Sequence, residues 1–271
     1  MRRSTWTTCL AAAAVLLTLT ACGAHATAQP ETAPSLLPKD QLVFLVESGG
    51  GYVTAVNAAL ESPDLAVYGD GRVIRVDDQR DGHEVPVGYT IAQVDPLVVL
   101  RFAAETEALG LIEKGTEFGA PQVSDMPYTT VRLHGAGGPR SVRVYALSEH
   151  SGSGVSPSEA KARRELSAVI DRARALPGDA ASAPYRPGQV RVFELDHTDD
   201  ADDAPAWPGP APASFLDPSQ EFGACGTLSG SAAEIAYAAA RKNPGANWTV
   251  GEKQRTLAVV ALLPGTIGCP P

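Results

Sequence analysis

Two hairpin patterns constrain the fold of this chain more than any other feature. Residues 65–76 (LAVYGDGRVIRV) place two alternating apolar segments around a Gly-Asp-Gly turn. Residues 128–147 repeat the arrangement around a glycine-rich turn at 135–139. Because glycine adopts positive φ at no steric cost, such turns join antiparallel strands. Both segments therefore predict β-hairpins, and the alternation in the second leaves one of its faces in water.

Three segments carry the start signals of α-helices. Residues 95–110 begin with Asp-Pro and end at a glycine. Residues 156–176 begin with the capping box Ser-Pro-Ser-Glu and repeat apolar residues at helical spacing, which leaves Arg163 for the outer face. Residues 231–241 begin with Ser-Ala-Ala-Glu, a second capping pattern. Each segment therefore predicts a helix that starts at its capping residue.

Further strands are predicted from apolar runs at 41–46, 189–195 and 256–263. Residues 52–56 are expected to resume strand pairing after a glycine triplet, and residues 196–212 are expected to form an irregular loop. Strands and helices therefore occur in mixed groups without a βα rhythm. This favours an α+β fold, with a mostly antiparallel sheet of hairpins and two or three packed helices.

Composition shifts divide the chain into two parts. An α+β domain is predicted at 41–176 and a smaller α+β subdomain at 188–271. The proline- and alanine-rich residues 177–187 between them are predicted to be a linker.

The N-terminus has the layout of a secretory leader. Arg2 and Arg3 precede an apolar run at 9–20, which is shorter than the about 20 residues that span a bilayer. The run ends in Leu19–Cys22 (LTAC), a lipobox in which a cysteine thiol takes a diacylglyceryl group before cleavage. We therefore expect export followed by attachment to the membrane through lipid.

Lipidation is assigned to Cys22. This predicts a signal peptide at 1–21 and a lipidated, flexible tether at 22–40, rich in alanine, threonine and proline. Two or more acyl chains hold a protein firmly on a bilayer. The protein is therefore expected on the extracytoplasmic face of the cell membrane.

The formal charge argues against nucleic acid as a partner. The full chain carries −9, and removal of a leader with two arginines and no acid leaves −11. An acidic surface repels phosphate backbones and anionic headgroups. Membrane attachment is therefore expected from the lipid anchor alone.

The remaining cysteines predict a disulfide. Cys9 leaves with the leader and Cys22 is lipidated, so Cys225 and Cys269 remain in an exported chain, where disulfides persist. On the chain-entropy model, closing a loop of this length contributes roughly 4 kcal/mol.

No sequence pattern assembles a catalytic, cofactor or metal site. Ser153 lies near His150, but its glycine–serine loop matches no nucleophile motif. The acidic segments 77–82 and 199–203 lack the full ligand set of a calcium loop. The histidines are scattered singly, at His25, His83, His134, His150 and His197. We therefore assign no catalytic, cofactor-binding or metal-ligating residue.

Three functions remain open. The first is a non-enzymatic envelope module that binds a peptide, a glycan or another envelope protein. Aromatic residues available to line such a groove are Tyr185, Trp207, Tyr237 and Trp248. The second is a wall-directed hydrolase that uses paired carboxylates such as Asp70 and Asp125. The third is a structural spacer.

The lipobox, the strand before the glycine triplet, the hairpin at 67–74 (VYGDGRVI) and the two late cysteines together resemble a family of exported proteins. The family comprises secreted lipoproteins of high-GC Gram-positive bacteria without an assigned activity. Its hairpin reads Leu-Tyr-Gly-Asp-Gly or close to it, which Tyr68–Gly71 matches. The resemblance implies a lipid anchor and transfers no catalytic residue to this chain.

Overall fold

Two antiparallel β-sheets organise the part of the chain that the computed structural model describes, which is residues 37–77, 85–196, 203–219 and 223–269. The larger sheet has the order β6-β5-β1-β2-β3-β4-β7. Its strands are β1 (Leu42–Gly49), β2 (Pro63–Tyr68), β3 (Arg72–Val76), β4 (Tyr89–Gln93), β5 (Tyr128–Gly135), β6 (Gly138–Tyr145) and β7 (Ser182–Pro184).

The smaller sheet has the order β10-β11-β8-β9. Its strands are β8 (Gln189–Leu195), β9 (Cys225–Ser229), β10 (Asn247–Val250) and β11 (Lys253–Ala261). The helices are α1 (Ala55–Ala59), α2 (Pro96–Ala108), α3 (Pro157–Ala175) and α4 (Ser231–Ala240). The predicted α+β fold with antiparallel sheets is confirmed. Residues Leu36–Pro271 form one compact unit.

The larger sheet is buried on both faces. On one face, Phe44 of β1 meets Phe102 of α2 edge to face at a centroid distance of 5.2 Å, and α3 adds Leu166 to the same core. On the other face, Leu45 belongs to a second core that contains Leu257 of the smaller sheet and residues of α4. Alternate side chains of one strand therefore enter two different cores.

The predicted hairpins and three predicted helices are confirmed. The side chain of Asp95 accepts the Leu97 N–H at 2.9 Å and caps α2. Both bonds of the capping box join Ser156 and Glu159 at the start of α3. Hydrogen bonds from the Ser156 backbone and side chain to Glu159 also lower the pKa of that carboxyl. The starts of these two helices can be predicted from the sequence because each capping hydrogen bond joins residues within four positions of one another.

Two local predictions are wrong. The capping box at the start of α4 does not form, because Gly230 occupies the cap position and Ser231 is already helical. Gly230 has φ +60° and donates its N–H to the Gly188 carbonyl, so the sharp turn out of β9 selects glycine over a capping side chain. Residues 52–56 do not resume strand pairing; Thr54 instead caps the short helix α1.

Residues 177–187, the predicted linker, contain β7. Ala183 of this strand pairs with Ile91 of β4 at the edge of the larger sheet. The chain then enters the smaller sheet at Gln189.

The predicted disulfide is confirmed. Cys225, the first residue of β9, is bonded to Cys269, and their Cα atoms lie 5.8 Å apart. The bond ties the C-terminal segment to the edge of the smaller sheet.

Several predicted features lie outside the described residues. These are the signal peptide at 1–21, Cys22, most of the tether at 22–40, His25, His83, His197 and most of the acidic segments 77–82 and 199–203. Among the helices of the described ranges, none combines the length and apolar character needed to cross a membrane.

Arg163 lies inside the protein, and its predicted place on the outer face of α3 is wrong. Its side chain is fully buried, and its guanidinium donates to the carbonyls of Phe118 and Glu149 at 2.9 and 2.8 Å. It also donates to the carbonyls of Tyr145 and Ala146. Burial lowers the pKa of the guanidinium. The side chain therefore joins α3 to the chain around Phe118 and to the segment at 145–149.

The hairpin of β2 and β3 has a structural role. The Tyr68 hydroxyl donates to the Pro264 carbonyl at 2.9 Å, and the Asp70 carboxylate accepts the Arg72 Nε–H at 2.8 Å. Gly71 has φ +89°, and a Cβ there would lie 2.0 Å from the Val94 carbonyl oxygen. The turn therefore requires glycine for its backbone angle and for space.

Replacing Gly71 with alanine is expected to destabilise the fold more than the same change at Gly138. Both glycines have φ +89°, but a Cβ at Gly138 meets no atom within 4 Å. Gly138→Ala should cost about 1–2 kcal/mol, for the left-handed backbone alone. Gly71→Ala should cost at least about 2 kcal/mol more, because Val94 must also move. Urea denaturation measures both, and equal losses would contradict the close approach.

Arg163→Ala is expected to lower the free energy of unfolding by at least about 3 kcal/mol, because it leaves buried carbonyls without donors. Arg163→Lys should retain part of this stability, since an ammonium has three donors. Arg164→Ala is the matched control: its exposed side chain should contribute within about 0.5 kcal/mol. Similar losses for Arg163→Ala and Arg164→Ala in urea titrations would refute the buried role.

Candidate functional site

Two adjoining clefts open where β1 ends. The first, which we call the loop cleft, has a volume of about 650 Å³ and is bordered by the residues that lead into α1, among them Tyr52 and Val53. The second, the arginine cleft, has a volume of about 540 Å³ and lies between β5, β6 and the smaller sheet. They share a wall that includes Gly50 and Glu61. Both volumes fall in the range of about 300–1,000 Å³ that is typical of ligand sites.

The loop between the clefts is fixed from both sides. The N–H of Gly50 donates to the Glu61 carboxylate at 2.6 Å, and the N–H of Tyr52 donates to the Asp125 carbonyl at 3.3 Å. Gly51 has φ +85°, and a Cβ there would lie 2.7 Å from the same carbonyl oxygen. The glycine triplet therefore lets the backbone pass close to residue 125 and turn into α1.

Apolar side chains at the rim of the clefts are exposed to solvent. Tyr52 is 90% exposed and Ile267 is 66% exposed. Val53 and Tyr128 are also exposed. Large apolar side chains grouped at the mouth of a cleft are typical of interaction surfaces.

A row of polar side chains forms the floor of the arginine cleft. Glu47 pairs with Thr130 and Thr130 pairs with Arg143 across three neighbouring strands, so their side chains lie on one face. Arg132 lies two residues along β5 on that face and forms an ion pair with Glu47 at 2.9 Å. Leu45 lies on this same face of the larger sheet, where it belongs to the second core. The cleft is therefore the part of this face that extends beyond the smaller sheet.

Two arginines of this cleft stack on aromatic rings. The guanidinium of Arg143 lies 3.9 Å from the ring centroid of Tyr128. The guanidinium of Arg191 lies 4.7 Å from the ring centroid of Phe193 and donates to the Glu61 carbonyl at 3.2 Å. Burial lowers the pKa of Arg191, although nearby glutamates oppose the shift. With Arg132, the cleft holds three arginines against two glutamates.

The carboxylates suggested for a hydrolase lie far apart. Asp70 is in the turn next to Gly69, whose N–H binds the Gln41 carbonyl at the start of β1. Asp125 contacts Tyr52 beyond the end of the same strand. The eight residues of β1 between them span about 25 Å. A glycosidase pair requires roughly 5–9.5 Å, so these two side chains do not form one.

The aromatic residues suggested for a groove belong to the second core. Trp248 is 1% exposed, donates to the Leu257 carbonyl at 3.0 Å and meets Trp207 edge to face. Tyr237 is buried and donates to the Val87 carbonyl. Burial raises the pKa of Tyr237 to about 12. Tyr185 packs against the same core. The rings fill the interior, as aromatic side chains commonly do, and the groove is not formed by these residues.

The other residues that the sequence suggested for catalysis, His150 and Ser153, share no side-chain hydrogen bond among the described residues. The Nε2 of His150 lies 2.9 Å from the Ser167 hydroxyl on α3, whereas Ser153 accepts the Gln122 N–H through its carbonyl. In the described ranges, no group of three or more His, Cys, Asp or Glu side chains is placed to hold a metal ion.

The arginine cleft could not be predicted from the sequence because its residues come from six separate segments of the chain. Glu47 and Arg191 are separated by most of the chain, and strand register alone brings Glu47, Thr130 and Arg143 into one row. The one local signal was the glycine triplet followed by an exposed aromatic residue, Tyr52.

Comparisons with known proteins find no family model, no curated protein and no solved structure that matches this chain.

Proposed function

We propose that this protein is a binding module of the bacterial envelope, held on the extracytoplasmic face of the cell membrane by lipid on Cys22. We also assign it to the secreted lipoproteins that its lipobox and hairpin resemble. The lipobox supports the anchor. The observation that carries the binding role is the exposure of Tyr52 on a loop that hydrogen bonds fix at both sides.

A fixed loop reduces the entropy lost on association. Tyr52 borders the loop cleft, and its ring loses little conformational freedom on binding because it has two side-chain torsions. Exposed apolar side chains at the rim, Val53, Tyr128 and Ile267, would be removed from water by a partner. This arrangement favours a binding role over that of a passive spacer.

The place where the N-terminal segment joins the folded part of the chain also supports a binding role. Leu37 and Pro38 lie against Gly69, at the start of β1, whereas the clefts open beyond its end. A tether that enters near Leu37 therefore leaves the clefts at the opposite end of β1. A partner would reach them without displacing the anchored end.

Cys22→Ser is expected to release the protein from the membrane, because serine provides no thiol for the diacylglyceryl group. In producing bacteria, fractionation should move the protein from the membrane pellet to the soluble extracellular fraction. Cys9→Ser, a cysteine-to-serine change inside the leader, should leave the wild-type distribution intact. Membrane retention of Cys22→Ser would refute the anchor.

A photo-crosslinking residue at Tyr52 is expected to capture a reproducible envelope partner in intact cells. Ile235 on α4 provides the matched control, since it is also apolar and 53% exposed but lies outside both clefts. Mass spectrometry should identify adducts at position 52 that are absent at position 235. Identical adduct patterns at the two positions would contradict the assignment of this surface.

A further inference from the structure

We propose that the arginine cleft binds a peptide segment through the carboxylate of an acidic residue, with Arg143 as the principal contact. This inference rests on the proposed binding function and names its ligand. This cleft combines three arginines with apolar walls in a volume of about 540 Å³.

Arg143 is prepared to bind an anion. Its guanidinium carbon lies over the Tyr128 ring, 3.9 Å from the ring centroid, and a stacked guanidinium keeps its N–H groups in its own plane, where they can reach a ligand. Within the described part of the chain, no ion pair engages this side chain. The guanidinium N–H groups of Arg143 are therefore available to donate two parallel hydrogen bonds to the oxygens of a carboxylate.

Arg132 supplies a second positive charge to the same ligand. Its cross-strand partner is Ser141, two residues before Arg143 on β6, so the two arginines are diagonal neighbours. Diagonal Cβ atoms on one sheet face lie about 7–8 Å apart, and long side chains span that distance. Glu47 forms its ion pair with Arg132 and not with Arg143. The positive charge of Arg143 is therefore not neutralised by that glutamate.

The charges of the cleft favour a monovalent carboxylate over a phosphate. Glu47 and Glu61 face the same space as the three arginines and would repel a dianion more strongly than a single negative charge. The whole chain, at −9, also opposes polyanions at long range. A single carboxylate gains the local contacts at a smaller electrostatic cost.

The walls favour a peptide over a small free acid. Phe193, Val260 and Ile267 line the cleft on the side of the smaller sheet and the C-terminal segment, and the cleft volume of about 540 Å³ is many times that of one carboxylate. A neighbouring apolar residue of a peptide would fill this space. The ligand class is therefore a peptide with Asp or Glu beside an apolar side chain.

The test uses arrays of randomised hexapeptides, capped at both ends, with a fixed central Glu, Gln or Lys at equal density. The full-length lipoprotein, purified in detergent, is expected to be retained at least tenfold more on the Glu array than on the Gln array. Arg143→Gln should abolish this preference. Arg164→Gln removes an equal charge from exposed α3 and should preserve it, and matching thermal unfolding should show that both variants fold.

Three outcomes would overturn the inference. Equal retention on the Glu and Gln arrays would exclude carboxylate recognition. Retention of Arg143→Gln at the wild-type level would exclude this cleft. Displacement from the Glu array by inorganic phosphate at lower concentration than acetate would reassign the site to phosphoryl groups. Each result stands whether or not Tyr52 captures a partner in cells, so failure of this inference is distinct from failure of the proposed function.

Discussion

Burial of β1 on both faces is the constraint on which the rest of the structure depends. Phe44 and Val46 enter the core formed with α2 and α3, whereas Leu45 between them enters the core shared with the smaller sheet. A shift of one residue in register would exchange the two sets, so the strand fixes both layers at once. The same alternation continues to Glu47, where the smaller sheet no longer covers this face and polar side chains replace apolar ones. The arginine cleft is thus a geometric consequence of how far the smaller sheet extends.

The most recognisable motif of the sequence is structural. Tyr68 and the residues of its turn hold the C-terminal segment through Pro264, and they fix the chain's entry through Gly69. The disulfide of Cys225 and Cys269 restrains the same C-terminal segment from the smaller sheet. The hairpin turn and the cysteine pair, far apart in sequence, therefore hold the same C-terminal segment against the two sheets. Tyr52 lies beyond the other end of β1, and Ile267 of the restrained C-terminal segment reaches the arginine cleft.

Local interactions determine which features could be predicted from the sequence. The hairpin turns and the caps at Asp95 and Ser156 are made by residues within a few positions of each other, and those predictions are confirmed. The failures have long-range causes. The charge of Arg163 favours the outer face of α3, and its burial beside Leu166 is possible only because loops outside the helix provide carbonyl acceptors. Whether an aromatic residue such as Trp248 lines a groove or fills a core depends on how the sheets pack, and here it fills a core. The cleft residues, likewise, meet only through strand register.

Charge distribution finally determines how the proposed site would work. The net charge of −9 slows the approach of an acidic ligand, so long-range steering cannot provide the affinity. Screening confines this repulsion to about 8 Å at physiological ionic strength, whereas a guanidinium that touches a carboxylate acts at contact distance. Binding must then depend on short-range contacts: the stacked Arg143 and the exposed side chains of Tyr128 and Ile267. An acidic protein with one arginine-rich cleft therefore selects a ligand by local fit, and it discriminates against polyanions that a basic surface would bind without selectivity.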